Sequence, residues 1–284
     1  MPEPLQSMPP ALYVVATPLG NLADITLRAL DVLRAADFVA AEDTRHTRRL
    51  LDHHGIAARL FAAHQHNECE AGAAIVAAIA EGKRVALVSD AGTPGVSDPG
   101  ARIVRAVSDA GLRVIPVPGP SALTAALSAS GIADERVMFC GFLPARAGTR
   151  GEAIEALKAL DAALVFYEAP HRVAETVADL AARLDSRREI VIARELTKLF
   201  ESIARMPLAD APAWLAADPN RERGEFVLMV CAPPPRQGFA AEADRVLAAL
   251  LAELPLKQAV KLAVQITGEP RNALYERALS IKGD

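Results

Sequence analysis

The chain has 284 residues, of which 51% are hydrophobic, 4% aromatic and 23% charged, and its formal net charge is −4. This composition predicts globular domains with aliphatic cores, and it excludes a chain that binds nucleic acid through an overall positive charge. Any basic surface must therefore be local. The three cysteines lie far apart without a pairing pattern, which suits a reducing compartment, and no apolar run is long enough to span a membrane. We therefore predict a cytoplasmic protein.

The first half of the chain alternates strand and helix patterns. Residues 1–10 are rich in proline and are predicted to be a disordered lead-in. Five strand–helix units then follow over residues 11–130, and we predict the first helix to begin at its N-cap Asp24. The predicted strands are 12–16, 38–41, 59–62, 84–89 and 113–117, and the helices are 24–35, 44–52, 68–81, 101–110 and 120–130. This succession predicts an N-terminal α/β domain with a mostly parallel, doubly wound sheet.

After residue 130 the rhythm changes, which predicts a second α/β domain over residues 131–232. Its predicted strands are 137–141, 163–167, 189–193 and 225–230, and its helices are 152–160 and 173–184. A stiff linker of three prolines, 233–235, precedes a helical tail over residues 236–284. The tail helices are predicted at 243–251, 257–267 and 272–279, the last two as a helix-turn-helix hairpin. The basic residues of the tail are Lys257, Lys261, Arg271 and Arg277. Because acidic residues nearly balance their charge, they are consistent either with one basic face or with a helical cap exposed to solvent.

Three loops rich in glycine and proline follow strands of the first domain, at residues 17–24, 89–100 and 116–121. The carboxyl ends of parallel strands share one edge of a sheet, so these loops should converge on one crevice. The loop 89–100 exceeds an ordinary strand–helix connection and keeps two carboxylates and three hydroxyls at that edge. No loop has a dinucleotide or P-loop pattern. We therefore predict a site for a small, partly charged ligand, made of backbone groups and small polar side chains.

Basic residues concentrate just after the second strand. Five of the six histidines lie between residues 46 and 66, together with Arg45, Arg48, Arg49 and Arg59, which we call the basic strip. It is the predicted contact for a phosphate backbone. The adjacent Asp43 is explained by helix capping, whereas Glu42 suits either capping or a site. A metal site of His64, His66 and Cys69 matches no known zinc spacing.

Two clusters in the second domain set an acid beside basic residues after a strand. One joins Glu168 to His171 and Arg172, and the other joins Glu195 to Arg194 and Lys198. A single cluster of this kind is usually a surface ion-pair network. Two clusters at strand ends favour a wall that contacts the substrate.

Several of these segments together resemble the tetrapyrrole-methylase fold family and, within it, the branch that methylates ribosomal RNA. They are residues 13–26, 41–45, 89–100, 118–122, 166–172 and 193–198, and residues 254–261 are similar to the helical C-terminal appendage of that branch. The resemblance implies two α/β domains with a cleft between them, plus a small helix-turn-helix-like appendage. It also implies S-adenosylmethionine as methyl donor without a metal, a homodimer, and 2′-O-methylation of a cytidine in 16S ribosomal RNA of the small subunit.

Candidate residues follow from the loops and the resemblance together. For the methyl donor they are Pro18, Gly20, Ser89, Asp90, Gly92, Thr93, Pro94, Gly119, Ser121 and Tyr167. For the RNA substrate they are Arg45, Arg48, Arg49, His171, Arg172 and Arg194. For catalysis they are Glu42, Glu195 and Lys198, among which the sequence does not choose.

Two other functions remain open at this point. One is a C-methyltransferase of small molecules of the tetrapyrrole type, in which the first and central loops are richer in glycine than residues 17–20 and 91–94. The other is an RNA-binding assembly factor without catalysis, which would need the basic strip but not the cleft loops. The loop 144–151, commonly rich in lysine in the RNA branch, here holds only Arg146 and Arg150 as basic residues.

Overall fold

A computed structural model describes residues 8–234 and 241–283. The chain forms two compact units, which divide after Ala232. Most of the predicted lead-in, residues 1–7, lies outside the described residues, as do residues 235–240, with the last proline of the predicted linker, and residue 284. Within the described residues, no helix has the length and apolar character that crossing a membrane requires.

The first sheet has five strands, and all its pairings are parallel. Its strands are β1 (Ala11–Val15), β2 (Phe38–Ala41), β3 (Leu60–Ala62), β4 (Arg84–Val88) and β5 (Val114–Val117). Its helices are α1 (Leu27–Ala35), α2 (Thr44–His53), α3 (Glu68–Ala80) and α4 (Ala101–Asp109). The strand order β3-β2-β4-β1-β5 confirms the predicted parallel sheet.

Helices cover both faces of this sheet because its strands are apolar on both sides. On β1, Leu12 joins a core with α3 and α4, whereas its neighbour Tyr13 joins a core with α1 and α2. Successive side chains of a strand point to opposite faces, so one apolar run serves both cores. The sheet is therefore doubly wound, as predicted.

The second sheet has the strand order β6-β7-β10-β8-β9 and mixed direction, since only β6 and β7 pair in parallel. Its strands are β6 (Val137–Phe142), β7 (Ala163–Glu168), β8 (Glu189–Arg194), β9 (Ser202–Pro207) and β10 (Phe226–Val230). Its helices are α6 (Ala147–Leu157), α7 (Val173–Arg183) and α8 (Ala211–Ala216). The edge strand β9, which pairs antiparallel with β8, was not predicted from the sequence.

One helix connects the two sheets. α5 (Ala122–Ser130) follows β5 of the first sheet, yet its Ala126 packs against Val191 and Val227 of the second sheet. Both sheets consequently belong to one compact unit. The predicted boundary between two α/β domains at residue 130 stays a prediction.

Several predicted helix starts are wrong. α1 begins at Leu27 rather than Asp24, because the Thr26 side chain accepts a hydrogen bond from the amide of Ala29 and caps the helix. Asp24 instead ends a short 3-10 helix that Asn21 caps. α5 begins after Ser121, two residues later than predicted. α6 begins at Ala147 rather than at residue 152 and ends at Leu157, despite two glycines in its first turns.

The second unit is a small helical domain. It contains α9 (Ala241–Glu253), α10 (Leu256–Thr267) and α11 (Arg271–Gly283) around buried residues such as Leu247, Val260 and Leu274. Gly268 ends α10 in the left-handed conformation, with φ 72°, and this allows the tight turn into α11. The predicted helix-turn-helix hairpin is confirmed. Of its predicted basic residues, Arg277 forms an ion pair with Asp244.

Candidate active site

The three glycine-rich loops of the first sheet meet where β1, β4 and β5 end. The amide of Thr17 donates to the carbonyl of Gly92 over 2.8 Å, and the amide of Gly92 donates back over 3.0 Å. The hydroxyl of Thr93 donates to the carbonyl of Pro120 over 3.1 Å. The predicted convergence of the loops is thus observed, and hydrogen bonds hold them together.

A cavity of about 300 Å³ opens beside these loops, between the first and the second sheet. From the first sheet it is lined by Leu19, Ala91, Gly92, Thr93, Val96, Asp98, Ser121 and Ala122. From the second it is lined by Phe142, Tyr167, Glu168, Ala169, Pro170, Leu196, Glu225, Phe226 and Val227. Largely apolar walls with a few polar groups are typical of sites for small molecules.

Four of the ten residues predicted to bind the methyl donor line this cavity: Gly92, Thr93, Ser121 and Tyr167. The Tyr167 hydroxyl accepts a hydrogen bond from the amide of Leu123 over 3.0 Å and so anchors the start of α5. Burial raises the pKa of Tyr167 above its usual value, so the phenol stays protonated. The residues from the second sheet were mostly missed, because their sequence pattern is that of ordinary core strands.

The other six predicted residues support the loops and are not in the lining of the cavity as described. The Ser89 carbonyl accepts a hydrogen bond from the Thr17 hydroxyl, and the Asp90 carboxylate accepts one from the amide of Asp43. A Cβ at Gly119 would lie 3.1 Å from the Cβ of Ala16, so glycine lets this loop approach β1. Of the remaining three, Pro18 and Pro94 are buried, whereas Gly20 lies beneath the Lys198 side chain.

Lys198 and Glu195 form an ion-pair network at the rim of the cavity. The Lys198 ammonium lies 2.8 Å from Glu195 Oε1 and 2.9 Å from Glu225 Oε2. Its aliphatic stem crosses Gly20, where a Cβ would clash with Lys198 Cγ. Glu195 and Thr197 have positive φ angles of 51° and 69°, which shows that the turn is held in an unfavourable conformation. The second predicted cluster therefore faces the first-sheet loops.

The charges in this network are well defined. Burial opposes the charged form of Lys198, but its bonds to the two carboxylates outweigh burial and raise its pKa. Burial likewise opposes ionisation of Glu195, yet bonds from Lys198 and from the amide of Glu225 lower its pKa. At neutral pH the pair is an ammonium and a carboxylate, which suits Lys198 to stabilise negative charge rather than to remove a proton.

Asp98 is a residue of the cavity that sequence analysis did not select. Burial, reinforced by the negative charges of Glu42 and Asp90, raises the pKa of Asp98 to about 7. The predicted catalytic residue Glu42 lies nearby, and burial raises its pKa as well. Its carboxylate accepts a long hydrogen bond, 3.4 Å, from the amide of Asp90. The position of Asp98 in the loop 89–100 could have indicated a role at the site, but its burial was not visible in the sequence.

Glu68 of α3 holds the far end of that loop. Its buried carboxylate accepts a hydrogen bond from the amide of Gly100 over 2.6 Å. Substituting Glu68→Ala should lower the free energy of unfolding by about 1–3 kcal/mol, because the buried amide loses its acceptor. Urea denaturation measures this loss. The exposed neighbour Glu70→Ala is the control, and equal stabilities of the two variants would contradict the assignment.

The arginines predicted to bind substrate in the second domain are engaged with the protein itself. Arg172 lies 3.3 Å from Glu168 and donates to the carbonyl of Leu143. Arg194 donates to the Ser202 hydroxyl and to the carbonyls of three residues, Phe200, Asn220 and Arg223. His171 is exposed. A role of these residues toward RNA stays a prediction, and the observed contacts are structural.

Arg150, one of the two basic residues in the loop 144–151, is buried in α6. It pairs with Asp179 over 2.6 Å and with Glu175 over 3.2 Å, both on α7. Its side chain is only 3% exposed. It therefore joins two helices and is not available to an RNA.

The first part of the predicted basic strip lies on the outer face of α2. Arg45, Arg48 and Arg49 are exposed, whereas Leu50 and Leu51 bury the opposite face. Arg45 pairs over 2.9 Å with Asp43, the residue that caps α2.

Cys69 is exposed, and among the described residues no group of three or more potential ligands could hold a metal ion.

Comparisons with known proteins agree with this arrangement. The family profile of Tetrapyrrole (Corrin/Porphyrin) Methylases matches residues 11–212, and that of the RsmI C-terminal HTH domain matches residues 237–282. The chain is 51% identical to ribosomal RNA small subunit methyltransferase I of Pseudomonas aeruginosa over 96% of its length and 98% of the relative's. It is 50% identical to the protein of the same name from Escherichia coli O157:H7, over 96% of each chain.

The fold also resembles a crystal structure of uroporphyrin-III C-methyltransferase from Thermus thermophilus complexed with S-adenosylhomocysteine. The TM-score is 0.54 at 17% identity, over 78% of this chain and 97% of the other. At this level of identity the likeness concerns the fold alone.

Proposed function

Because this chain belongs to the tetrapyrrole methylase family, in the group of the ribosomal RNA small subunit methyltransferases I, we propose that it methylates 16S ribosomal RNA. S-adenosylmethionine is the proposed donor, and the 2′-hydroxyl of a cytidine ribose is the proposed acceptor. The observation that carries the proposal is the cavity between the two sheets, with Gly92 on one wall and the Lys198 network at its rim.

The cavity suits the proposed donor in size and chemistry. Its volume of about 300 Å³ lies at the lower end of the range for small-molecule sites. Gly92 presents bare backbone to it, Thr93 and Ser121 offer hydroxyls, and Pro170 and Leu196 offer apolar surface. When bound there, the donor supplies an already activated methyl group.

The protein then has to align the acceptor oxygen with that methyl group and to stabilise charge. A ribose hydroxyl is a weak nucleophile that becomes negative as it loses its proton. The Lys198 ammonium at the rim is suited to stabilise that charge, and Glu195 is the residue that positions it. Glu42 remains a further candidate for proton removal, since burial raises its pKa.

The exposed arginines of α2 are the proposed contact for the RNA backbone. Neutralising Arg45, Arg48 and Arg49 together to glutamine should reduce the slope of log affinity against log salt by about 2–3 units, because fewer phosphate counterions are released. Filter binding of small-subunit RNA at several salt concentrations measures the slope. Neutralising Arg34 and Arg105, exposed on α1 and α4, is the control. An unaltered slope in the triple variant would mean that these arginines of α2 do not contact the RNA backbone.

The proposed activity is tested by transfer of labelled methyl groups to small ribosomal subunits that lack the modification. We expect label in a single cytidine as a 2′-O-methyl group, identified by mass spectrometry of nuclease fragments. Label on a base, or on an added tetrapyrrole but not on RNA, would favour the C-methyltransferase alternative. RNA binding without any transfer would favour an assembly factor.

Two implications of the family stay predictions. One is a cytoplasmic location, which action on ribosomal subunits would require, and the other is the homodimer, which sedimentation tests. The fold within residues 8–232 and the helical domain do not depend on either.

A further inference from the structure

Three carboxylates line the cavity, and Asp98 differs from the other two in its partners. Glu168 lies 3.3 Å from Arg172, and Glu225 lies 2.9 Å from Lys198. In the part of the chain that the structure describes, no salt bridge joins Asp98 to a cation, and the largest charge effects on it come from the carboxylates of Glu42 and Asp90. Asp98 is therefore the carboxylate of the cavity that is left to interact with whatever binds there.

The groups that face Asp98 favour a cationic ligand. Glu42, Asp90 and Glu225 all bring negative charge to it, and the Tyr167 phenol lies near enough to respond to its charge. The Ser89 side chain contributes a hydrogen bond. Burial and these acids together raise the pKa of Asp98 to about 7, whereas a cation in the cavity would lower it.

We propose that Asp98 is the residue by which the cavity distinguishes the cationic methyl donor from its uncharged thioether product. The proposal rests on the function proposed above and concerns selectivity within the same site. In the transfer, a bond forms between the acceptor oxygen and the methyl carbon, and the carbon–sulfur bond breaks with its electron pair remaining on sulfur. The sulfur loses its positive charge and the acceptor proton leaves to solvent, so Asp98 no longer has a cation to face. Asp98 thereby favours binding of the donor and release of the product.

Proton linkage follows from this arrangement. Below pH 7 the empty cavity holds a protonated Asp98, so binding of the donor must displace that proton, whereas binding of the thioether need not. Donor affinity should fall by up to about tenfold per pH unit below 7, and thioether affinity should stay nearly constant. Around pH 7 a fraction of a proton should be released per donor bound, and this fraction should rise as the pH falls.

Isothermal titration calorimetry of the full chain tests this without any RNA. S-adenosylmethionine and S-adenosylhomocysteine are titrated between pH 6 and pH 8, in buffers of different ionisation enthalpy. We expect proton release with the first ligand and none with the second. In Asp98→Asn the pH dependence of donor affinity should disappear and the preference for donor over product should fall about tenfold. Asp109→Asn, which removes an exposed acid of α4, should behave as wild type.

Two results would overturn the inference while leaving the proposed function intact. One is donor binding to the wild type without proton release. The other is an equal loss of affinity for both ligands in Asp98→Asn, which would mean that Asp98 only maintains the shape of the cavity. Failure of the wild type to bind S-adenosylmethionine at all would instead contradict the proposed function itself.

Discussion

Replacing Lys198 by methionine should lower the rate of methyl transfer about 10²-fold or more, with donor affinity changed little. The loss of a preorganised charged group that stabilises a developing oxyanion has this magnitude. The effect should exceed that of removing charge alone, because Glu195 and Glu225 would remain at the rim as two carboxylates without their shared cation. Single-turnover transfer from labelled S-adenosylmethionine measures the rate, and calorimetry measures donor affinity.

Three further variants separate catalysis from folding. Lys198→Arg keeps a positive charge and should retain part of the activity. Lys158→Met removes an exposed lysine directly after α6 and should retain all of it. Glu195→Gln should impair transfer less than Lys198→Met, since Glu225 still holds the ammonium. Near-normal transfer by both Lys198→Met and Glu195→Gln would exclude this network from catalysis and direct attention to Glu42.

Replacing Gly92 by valine should weaken binding of S-adenosylmethionine at least tenfold, a loss of about 1.4 kcal/mol. Gly92 has φ 77°, a conformation that a β-branched residue avoids, and a Cβ there would already lie 3.4 Å from Leu19 Cδ2. The new methyl groups would occupy space at the wall of the cavity and disturb the paired hydrogen bonds with Thr17. Calorimetry with purified protein measures the affinity.

Gly111 provides a matched control for the backbone strain. It has φ 70° in the turn after α4, and a Cβ there would have nothing within 4 Å. Gly111→Val should therefore lower stability to a similar extent without affecting donor affinity. If both variants bound the donor as tightly as wild type, the loop 89–100 would be excluded from the donor site.

The sequence predicted the part of the site that depends on one sheet. Because parallel strands end at a common edge, the order of elements was enough to bring Gly92, Thr93 and Ser121 together. From the second sheet it selected Tyr167 and two charged clusters, but not the rest of the wall, whose position depends on α5 crossing between the sheets. The sequence also did not show which charged side chains are buried. Arg150 has its partners 25 and 29 residues further along. Asp98 owes its raised pKa first to burial and then to carboxylates as distant along the chain as Glu42 and Glu225.

The helix α5 has a mechanical consequence. It begins next to Ser121 at the cavity, is anchored there by the Tyr167 hydroxyl, and packs Ala126 on the second sheet, so one short rigid rod connects both walls along one side. On another side the walls are joined by the Lys198 side chain lying over Gly20. A side chain reorients in nanoseconds or less, whereas repacking a helix requires a collective motion. We therefore expect any opening of the cavity to begin with release of the Lys198 side chain from Gly20, while α5 keeps its contacts with both walls.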